Sequence, residues 1–224
     1  MASKQAKKTK PRKPLSRDAV LAAAMKLADA GGIEKLSMRK LGQKLGVEAM
    51  SLYNHVANKD EVLDGIVDIV YSEIEMPKKG AKWKPAMRRR AGSAREVLKR
   101  HPWALGVMES RTNPGMASMN YYEAIIRCLR EAGFSIKLAG HAFSVIDSYL
   151  YGFALQELKM PFDTSSELAD LAAEIMSQLP VEQFPYFCEF VTGHVLKPGY
   201  DYANEFKYGL ELILDGLELA LGNQ

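Results

Sequence analysis

Residues 37–59, SMRKLGQKLGVEAMSLYNHVANK, constrain the fold of this chain more than any other stretch. Leu41 and Leu45 fall on one face of a short helix, and Gly46 can adopt the left-handed conformation that ends it. A second short helix, mostly polar, is expected at about 48–55. Two short helices that meet at a glycine turn predict a helix-turn-helix, whose second helix enters the major groove of DNA.

The charge distribution agrees with a nucleic-acid partner. Residues 1–60 hold 13 Lys and Arg against 5 Asp and Glu, whereas residues 61–224 hold 17 against 22. The positive excess therefore coincides with the helix-turn-helix, although the net charge of the whole chain is only +3. A basic face neutralises phosphates and releases counterions, so the sequence predicts DNA binding.

Other features of the sequence exclude several classes of protein. No apolar run approaches the roughly 18 residues that a bilayer span requires, and the basic N-terminus is not followed by the apolar segment of a secretory signal. Cys128 and Cys188 are far apart and lack CxxC spacing, which argues against a zinc motif or a disulfide framework. We therefore expect a cytoplasmic protein that makes no membrane contact.

The remaining segments show helical periodicity, and none alternates with the period of two that is typical of an amphipathic strand. The fold class predicted is all-α. Capping residues mark several helix starts, namely Ser16, Ser37, Asn58, Asn113-Pro114, Ser135 and Thr164. The expected helices cover about 16–30, 38–45, 48–55, 58–75, 85–100, 103–108, 113–133, 135–160, 164–179, 183–195 and 202–221.

The linker PKKGAKWK, residues 77–84, divides these helices into two domains. We predict a three-helix DNA-binding domain with a connecting fourth helix at 16–76, and a helical effector-binding and dimerisation domain at 83–222. Residues 1–15 form a basic tail that is expected to be disordered, because it can bury little apolar surface. That tail either solubilises the chain or contacts phosphates and the minor groove.

The last helix and the helix at 135–160 are apolar on more than one face. In the last helix, Leu212 and Leu219 lie off the main apolar stripe. A surface helix needs one such stripe, so a second one predicts burial against another copy of the chain in a four-helix interface. The alternative is a helix at the centre of one monomer.

Residues 16–75 resemble the DNA-binding domain of the tetracycline-repressor (TetR) family of bacterial regulators, through LSMRKLGQKLGV and SLYNHVANKDEVLDGI. The terminal FKYGLELILDGLE and the EAGFS turn at 131–135 are similar to the subgroup that gives the family its name. The resemblance covers most of the chain. It implies a homodimeric repressor that binds palindromic double-stranded operator DNA and releases it when a small-molecule effector enters the C-terminal domain.

The resemblance also assigns residues to DNA contact. Arg39 would read a base, since a guanidinium can be bidentate to guanine, and Ser51, Tyr53, His55 and Lys59 match positions that contact the DNA backbone or base edges. The full set of expected DNA-contacting residues is Arg39, Lys40, Ala49, Met50, Ser51, Tyr53, Asn54, His55 and Lys59.

Two departures from the subgroup bear on what the chain recognises. Ala49-Met50 replace a Gln-Pro pair, so the adenine contact of the Gln amide is lost and a different operator is expected. Two histidines of the subgroup's drug site, one of them a magnesium ligand, correspond to Met108 and Glu75 here. Because a thioether is a poor ligand for a hard cation, we expect no metal, no cofactor and an effector other than magnesium–tetracycline.

The aromatic and methionine content of 103–153 favours an apolar cavity with a few polar groups. The residues expected to line it are Trp103, Met108, Met119, Tyr122, His141, Phe143 and Tyr149, although such residues can equally be core.

An enzyme is not expected, since Cys128 and Cys188 have apolar neighbours and no glycine-rich phosphate loop is present. Two other functions use the same features: a ligand-sequestering protein with a vestigial DNA module, and an activator with the same DNA-binding head.

Overall fold

The computed structural model describes residues 14–162 and 164–224, which contain helices and no strand, as the predicted all-α class requires. The α-helices are α1 (Arg17–Gly31), α2 (Met38–Leu45), α3 (Ala49–Leu52), α4 (Lys59–Glu73), α5 (Trp83–Arg100), α6 (Met116–Glu131), α7 (Ile136–Leu158), α8 (Ser165–Gln178), α9 (Pro185–Phe190) and α10 (Ala203–Gly222). Short 3-10 turns lie at Ile33–Lys35, Pro102–Gly106 and Met108–Ser110, and a π-helical turn covers Val191–Val195. None of these helices has the length and apolar character to cross a membrane. The expected basic tail lies outside the described residues, except for its last two positions.

Local side-chain caps fix the starts of five of the described α-helices, as the sequence predicted. The side chains of Ser16, Ser37, Ser135 and Thr164 each accept a hydrogen bond from the backbone N–H three residues later. At α4, Asn58 accepts from the N–H of Glu61 at 2.8 Å, and the Glu61 carboxylate accepts from the N–H of Ala57 at 2.6 Å.

Helices α1 to α4 share one part of the hydrophobic core. α4 crosses α1 at Gly65, where an added Cβ would lie 2.7 Å from the side chain of Leu21. The absence of a side chain at that position lets the two helices approach closely. Leu41 of α2 and Leu52 of α3 are fully buried in the same core, so the two short helices are fixed on the α1–α4 pair.

Helices α5, α7 and α10 pack together and form another part of the core. The buried side chains include Met87, Ala91, Ala94 and Leu98 of α5, Ala142, Ile146, Leu150 and Ala154 of α7, and Phe206, Leu210 and Leu214 of α10. At the surface, Lys84 forms ion pairs with Asp215 and Glu218, each at 2.6 Å, and Arg88 forms an ion pair with Glu211. These contacts hold α5 along α10.

A polar cluster joins α1 and α4 to the segment that follows α5. The ring of buried His101 lies with Nδ1 2.7 Å from Asp29 of α1 and Nε2 3.3 Å from Glu73 of α4. The indole N–H of Trp103 donates to the same Asp29 carboxylate at 2.8 Å. This cluster fixes the position of α1 and α4 relative to the rest of the molecule.

The predicted start of the sixth helix is wrong. Asn113-Pro114 does not cap it, because α6 begins at Met116 and Gly115 is the N-cap residue. Its first-turn N–H groups are satisfied from outside the helix, since the Asp68 carboxylate of α4 accepts from the backbone N–H of Ala117 and of Ser118, at 3.2 and 2.7 Å.

Several other predicted boundaries also differ from the structure. α4 ends two residues earlier than expected, at Glu73, and the segment expected as a helix at 103–108 is a pair of 3-10 turns. α5 begins within the predicted linker, at Trp83, because Pro85 lies in the first helical turn, where its missing N–H costs nothing. The segment at 183–195 divides into α9 and the π-helical turn.

The second apolar face of the last helix lies on the surface of the monomer. Leu212 and Leu219 of α10 are 57% and 71% exposed, whereas Leu210, Leu214 and Leu217 are buried. The alternative of a helix enclosed within one monomer therefore does not hold for α10. A further set of exposed apolar side chains follows on α8, on α9 and between them, namely Ile175, Val181, Phe184, Tyr186, Phe187 and Phe190.

Candidate nucleic-acid interface and effector cavity

The helix-turn-helix depends on two glycines. Gly46 ends α2 in the left-handed conformation, with φ 70° and ψ 35°, as its position in the sequence predicted. Gly42 lies inside α2, where an added Cβ would be 2.8 Å from the carbonyl oxygen of Val47 and 3.1 Å from the N of Ala49. The backbone that leads into α3 therefore packs directly on Gly42. This requirement was not predicted from the sequence, although a glycine beside the buried Leu41 is a signal that could have indicated it.

The predicted DNA-contacting residues belong to α2, to α3 with the turn that follows it, and to the start of α4. Arg39, Lys40, Met50, Tyr53, Asn54 and Lys59 are exposed, and Ala49, Ser51 and His55 are half-buried. Within the described residues, Arg39, Lys40 and Lys59 form no ion pair with another side chain. Cations that lack an intramolecular partner are free to bind phosphate or guanine.

The second helix of the motif is shorter than the sequence predicted. α3 spans Ala49–Leu52, and residues 53–55 continue as a hydrogen-bonded turn in which the N–H of His55 donates to Leu52 at 2.9 Å. Met50 is 76% exposed at the outer side of this helix. Met50 would therefore be able to contact a groove that this helix enters.

A cavity of about 580 Å³ lies between α6 and α7 and is partly open to solvent. The residues that line it are Glu109, Tyr122, Ile126, Phe143, Ser144, Asp147, Ser148 and Tyr151. Tyr122 and Phe143 meet edge to face, with ring centroids 5.8 Å apart. The lining combines aromatic walls with hydroxyl and carboxylate groups, which is the composition of a small-molecule site.

The structure brings together part of the ligand-binding set predicted from sequence. Tyr122 and Phe143 line the cavity, and buried Met108 borders a smaller one beside Tyr122. Trp103 does not line the cavity, because its indole N–H donates to Asp29 of α1 in the polar cluster with His101. Tyr149 packs on α10 instead and donates to the carbonyls of Glu205 and Phe206. Met119 and His141 are exposed and also lie outside the cavity lining.

A buried ion pair behind the cavity was not predicted. Arg90 of α5 is fully buried and donates to Asp147 at 2.5 Å and to the hydroxyl of Tyr121 at 2.6 Å. Arg90 lies on the same helical face as the buried Met87 and Ala94, and Asp147 interrupts the apolar α7. A charged residue on an otherwise apolar face is the sequence signal that could have revealed the pair.

The cavity is connected to α4 through one of its wall residues. The hydroxyls of Tyr122 and Tyr71 of α4 share a hydrogen bond of 2.7 Å. Burial raises the pKa of both tyrosines, so both hydroxyls stay protonated near neutral pH. Asp68, one helical turn earlier in α4, caps α6. A ligand that moves α6 would therefore act on α4, which begins at the predicted DNA-binding surface.

The described residues contain no group of three or more His, Cys, Asp and Glu side chains that could hold a metal ion. Met108 and Glu75 do not fit a shared magnesium site either. The Met108 thioether is buried, and Glu75 is exposed and forms an ion pair with Arg89 of α5 at 3.1 Å.

Comparison with known proteins gives two family matches. Residues 20–66 match the family described as bacterial regulatory proteins, tetR family, and residues 76–221 match the tetracyclin repressor-like C-terminal domain.

Individual proteins are similar over nearly the whole chain. The transcriptional repressor DrrR1 of Streptomyces coeruleorubidus is 31% identical, with 96% of this chain and 81% of that protein covered. The class D tetracycline repressor protein of Escherichia coli is 30% identical, with 92% and 91% covered. The crystal structure of the TetR family protein ActR of Streptomyces coelicolor, in complex with actinorhodin, superposes with a TM-score of 0.77 at 29% identity, with 94% and 100% covered.

Proposed function

The chain belongs to the TetR family of bacterial regulatory proteins and is a ligand-responsive, DNA-binding transcriptional repressor, and we propose that it acts as a homodimer on a palindromic operator. The observation that carries ligand-responsive DNA binding is the connection, within one chain, of the exposed surface with the predicted DNA contacts to a cavity through α4. In this assignment residues 16–76 bind DNA, and residues 83–222 bind the effector and the second subunit. Because its partner is operator DNA, the protein acts in the bacterial cytoplasm.

The DNA contacts follow from the chemistry of the exposed surface. Arg39 reads a guanine, and Lys40 and Lys59 bind phosphates on either side of α3. The hydroxyls of Ser51 and Tyr53, together with Asn54 and His55, add contacts to the backbone or to base edges. Ala49 and Met50 offer only apolar contact at the front of α3, so the operator differs from one that is read by a glutamine at that point.

The dimer interface is formed by the exposed apolar faces of α7 and α10. Leu212 and Leu219 lie one above the other, seven residues apart on α10, and Val145 and Leu155 of α7 are also exposed. Two copies related by a two-fold axis bury these faces against each other and place two heads about one DNA turn, or 34 Å, apart. The two-fold symmetry of this dimer calls for a palindromic site.

The effector binds between α6 and α7 and changes the spacing of the heads. The ligand moves Tyr122 and the α6 N-terminus, and the hydrogen bonds to Tyr71 and Asp68 transmit the movement to α4. Release of DNA occurs only if the ligand binds the DNA-free conformation more tightly than the DNA-bound one. Magnesium–tetracycline is not the effector, since the Met108 thioether, which replaces the subgroup's magnesium-ligating histidine, is a poor ligand for a hard cation, and Glu75 is paired with Arg89.

A footprint of the full-length protein on DNA upstream of its own gene tests the DNA assignment. We expect protection of a palindrome, with the affinity lowered by about 1–3 kcal/mol in Arg39→Ala and the salt slope reduced by about 1 in Lys59→Ala. Lys26→Ala is the matched control, because Lys26 is exposed on α1, one turn from the Asp29 that contacts the second domain. Equal losses in the Lys26 and Lys59 variants would contradict the assignment.

A further inference from the structure

We propose that the effector is an aromatic organic cation, whose positive charge lies beside Glu109 and whose ring packs on Tyr122 and Phe143. This inference rests on the proposed function, since it takes the cavity between α6 and α7 as the effector site. It adds the chemical class of the ligand, which neither the family nor the similar proteins assign to this chain.

The charges around the cavity favour a cation. Glu109 and Asp147 line it, and none of the described Lys, Arg or His residues does. Asp147 is neutralised by Arg90, with which it forms the buried ion pair at 2.5 Å. Glu109 is exposed and forms no ion pair within the described residues, so its negative charge is not compensated. An anionic ligand would be repelled there, and a cation would complete the pair.

The aromatic groups provide the second element of recognition. Tyr122 and Phe143 meet edge to face at 5.8 Å, and Tyr122 also contacts Tyr71 and Tyr121 at ring centroid distances of 5.6 and 5.7 Å. This cluster holds both wall residues in place. The face of an aromatic ring attracts a cation and packs on an aromatic ligand, so the walls and Glu109 favour the same kind of molecule.

The hydroxyl groups complete the lining without adding charge. Ser144 and Ser148 lie on α7 one helical turn apart, and Tyr151 lies about one turn further along the same helix. The hydroxyl of Tyr151 makes no hydrogen bond within the described residues, so it can bind a polar group of the ligand. Burial raises the pKa of Tyr151, which keeps this hydroxyl a neutral donor. A volume of about 580 Å³ lies within the usual range of small-molecule sites.

Three naphthalene compounds separate charge from size, and the first two have nearly equal shape. They are 2-naphthyltrimethylammonium, its neutral isostere 2-tert-butylnaphthalene, and 2-naphthoate. Their binding to the full-length protein, without DNA, is measured by fluorescence titration. We expect the cation to bind at least about fivefold more tightly than the neutral isostere, and naphthoate to bind most weakly.

Two variants assign the preference to the cavity. Glu109→Gln should reduce the affinity for the cation by about threefold and leave the neutral isostere unchanged, because Glu109 is exposed and its ion pair is partly screened. Glu123→Gln is the matched control, since Glu123 is exposed on α6 and outside the cavity lining. Phe143→Leu keeps an apolar wall but removes the ring, and it should lower the preference for the cation over the isostere.

The inference is overturned if the cation and its isostere bind equally, if no compound binds, or if Glu109→Gln and Glu123→Gln behave alike. A separate titration of labelled operator DNA tests the proposed function. A cation that binds with the expected preference but leaves operator affinity unchanged would contradict ligand-dependent release and support the ligand class. Release of operator DNA by a neutral or anionic compound, and not by the cation, would support ligand-dependent release and contradict the proposed ligand class.

Discussion

Gly42 is the residue on which the geometry of the DNA-binding head depends most directly. Its missing side chain leaves room for the backbone of Val47 and Ala49, and a Cβ 2.8 Å from a carbonyl oxygen forces that backbone to move. We expect Gly42→Ala to lower both the thermal midpoint of unfolding and the affinity for operator DNA, by about 1–3 kcal/mol in stability. Gly92→Ala in α5, where nothing lies within 4 Å of the added Cβ, should instead be neutral or stabilising by up to about 1 kcal/mol. Similar behaviour of the two variants would show that α3 does not depend on close packing at Gly42.

The buried pair of Arg90 and Asp147 gives a second prediction for single residues. Asp147→Asn leaves a fully buried guanidinium without its counter-charge, so it should destabilise the fold by about 3–5 kcal/mol. Glu211→Gln removes the partner of Arg88, where both side chains are about 40% exposed, and should cost at most about 1 kcal/mol. Urea titration of both variants measures the difference, and equal midpoints would disprove the special role of the buried pair.

Single residues also show where sequence reasoning ends. Gly46 could be predicted to end α2, because a glycine after a short amphipathic run is a local signal. The partner of Arg90 could not be predicted from local sequence, because Asp147 is 57 residues away and only the packing of α5 on α7 brings the two together. For the same reason, residue type alone could not place a side chain in the cavity, and Trp103 and Tyr149 form other contacts.

At the scale of helices, the capping of α6 by α4 leads to a further prediction. Asp68→Ala removes the acceptor of the N–H groups of Ala117 and Ser118 and of the Ser118 hydroxyl. We expect faster amide hydrogen exchange at the start of α6 and a weaker effect of the ligand on operator affinity. Asp170→Ala, an exposed position on α8, is the control. Unchanged exchange at residues 117 and 118 would argue against the capping role.

Helices whose starts depend on neighbouring residues could be located from sequence, and those that depend on distant residues could not. Asn58 and Thr164 cap their own helices, and the predicted starts are confirmed. Asn113-Pro114 also predicted a start from local residues, as an N-cap followed by an N1 proline, but Asp68 from another helix accepts from the first-turn N–H groups and α6 begins at Met116. The length of α3 was overestimated because the polar residues 53–55 fit a turn as well as a helix.

At the scale of the whole molecule, the contact of α4 with the segment after α5 should depend on pH. Burial alone would raise the pKa of Glu73, but hydrogen bonds from Arg100 and His101 outweigh it and hold this pKa below its ordinary value of 4.5. As the pH falls, the unfolded chain therefore takes up the proton first, so the stabilisation is complete above about pH 4.5 and is lost as the pH falls through the folded value. Glu73→Gln should show a smaller loss of urea midpoint between about pH 5 and 3 than Glu96→Gln, an exposed control on α5. Identical dependence of the urea midpoint on pH in the two variants would show that Glu73 does not contribute to the loss of stability in acid.

The assembly of two molecules determines whether the head can read a palindrome. Leu212→Glu with Leu219→Glu places two charges on the exposed apolar face of α10, so the dimer should dissociate and affinity for the full palindrome should fall to that of a half-site. Each chain should keep its fold, because both side chains are on the surface.

Lys207→Glu is the control for added negative charge, since Lys207 lies about 140° around the helix from Leu212. Ultracentrifugation gives the mass, and fluorescence anisotropy on whole and half operators gives the affinities. A double variant that stays dimeric, or that binds the palindrome as tightly as the unmodified protein, would place the interface on another face, and the exposed aromatic residues of α9 would then be the next surface to test.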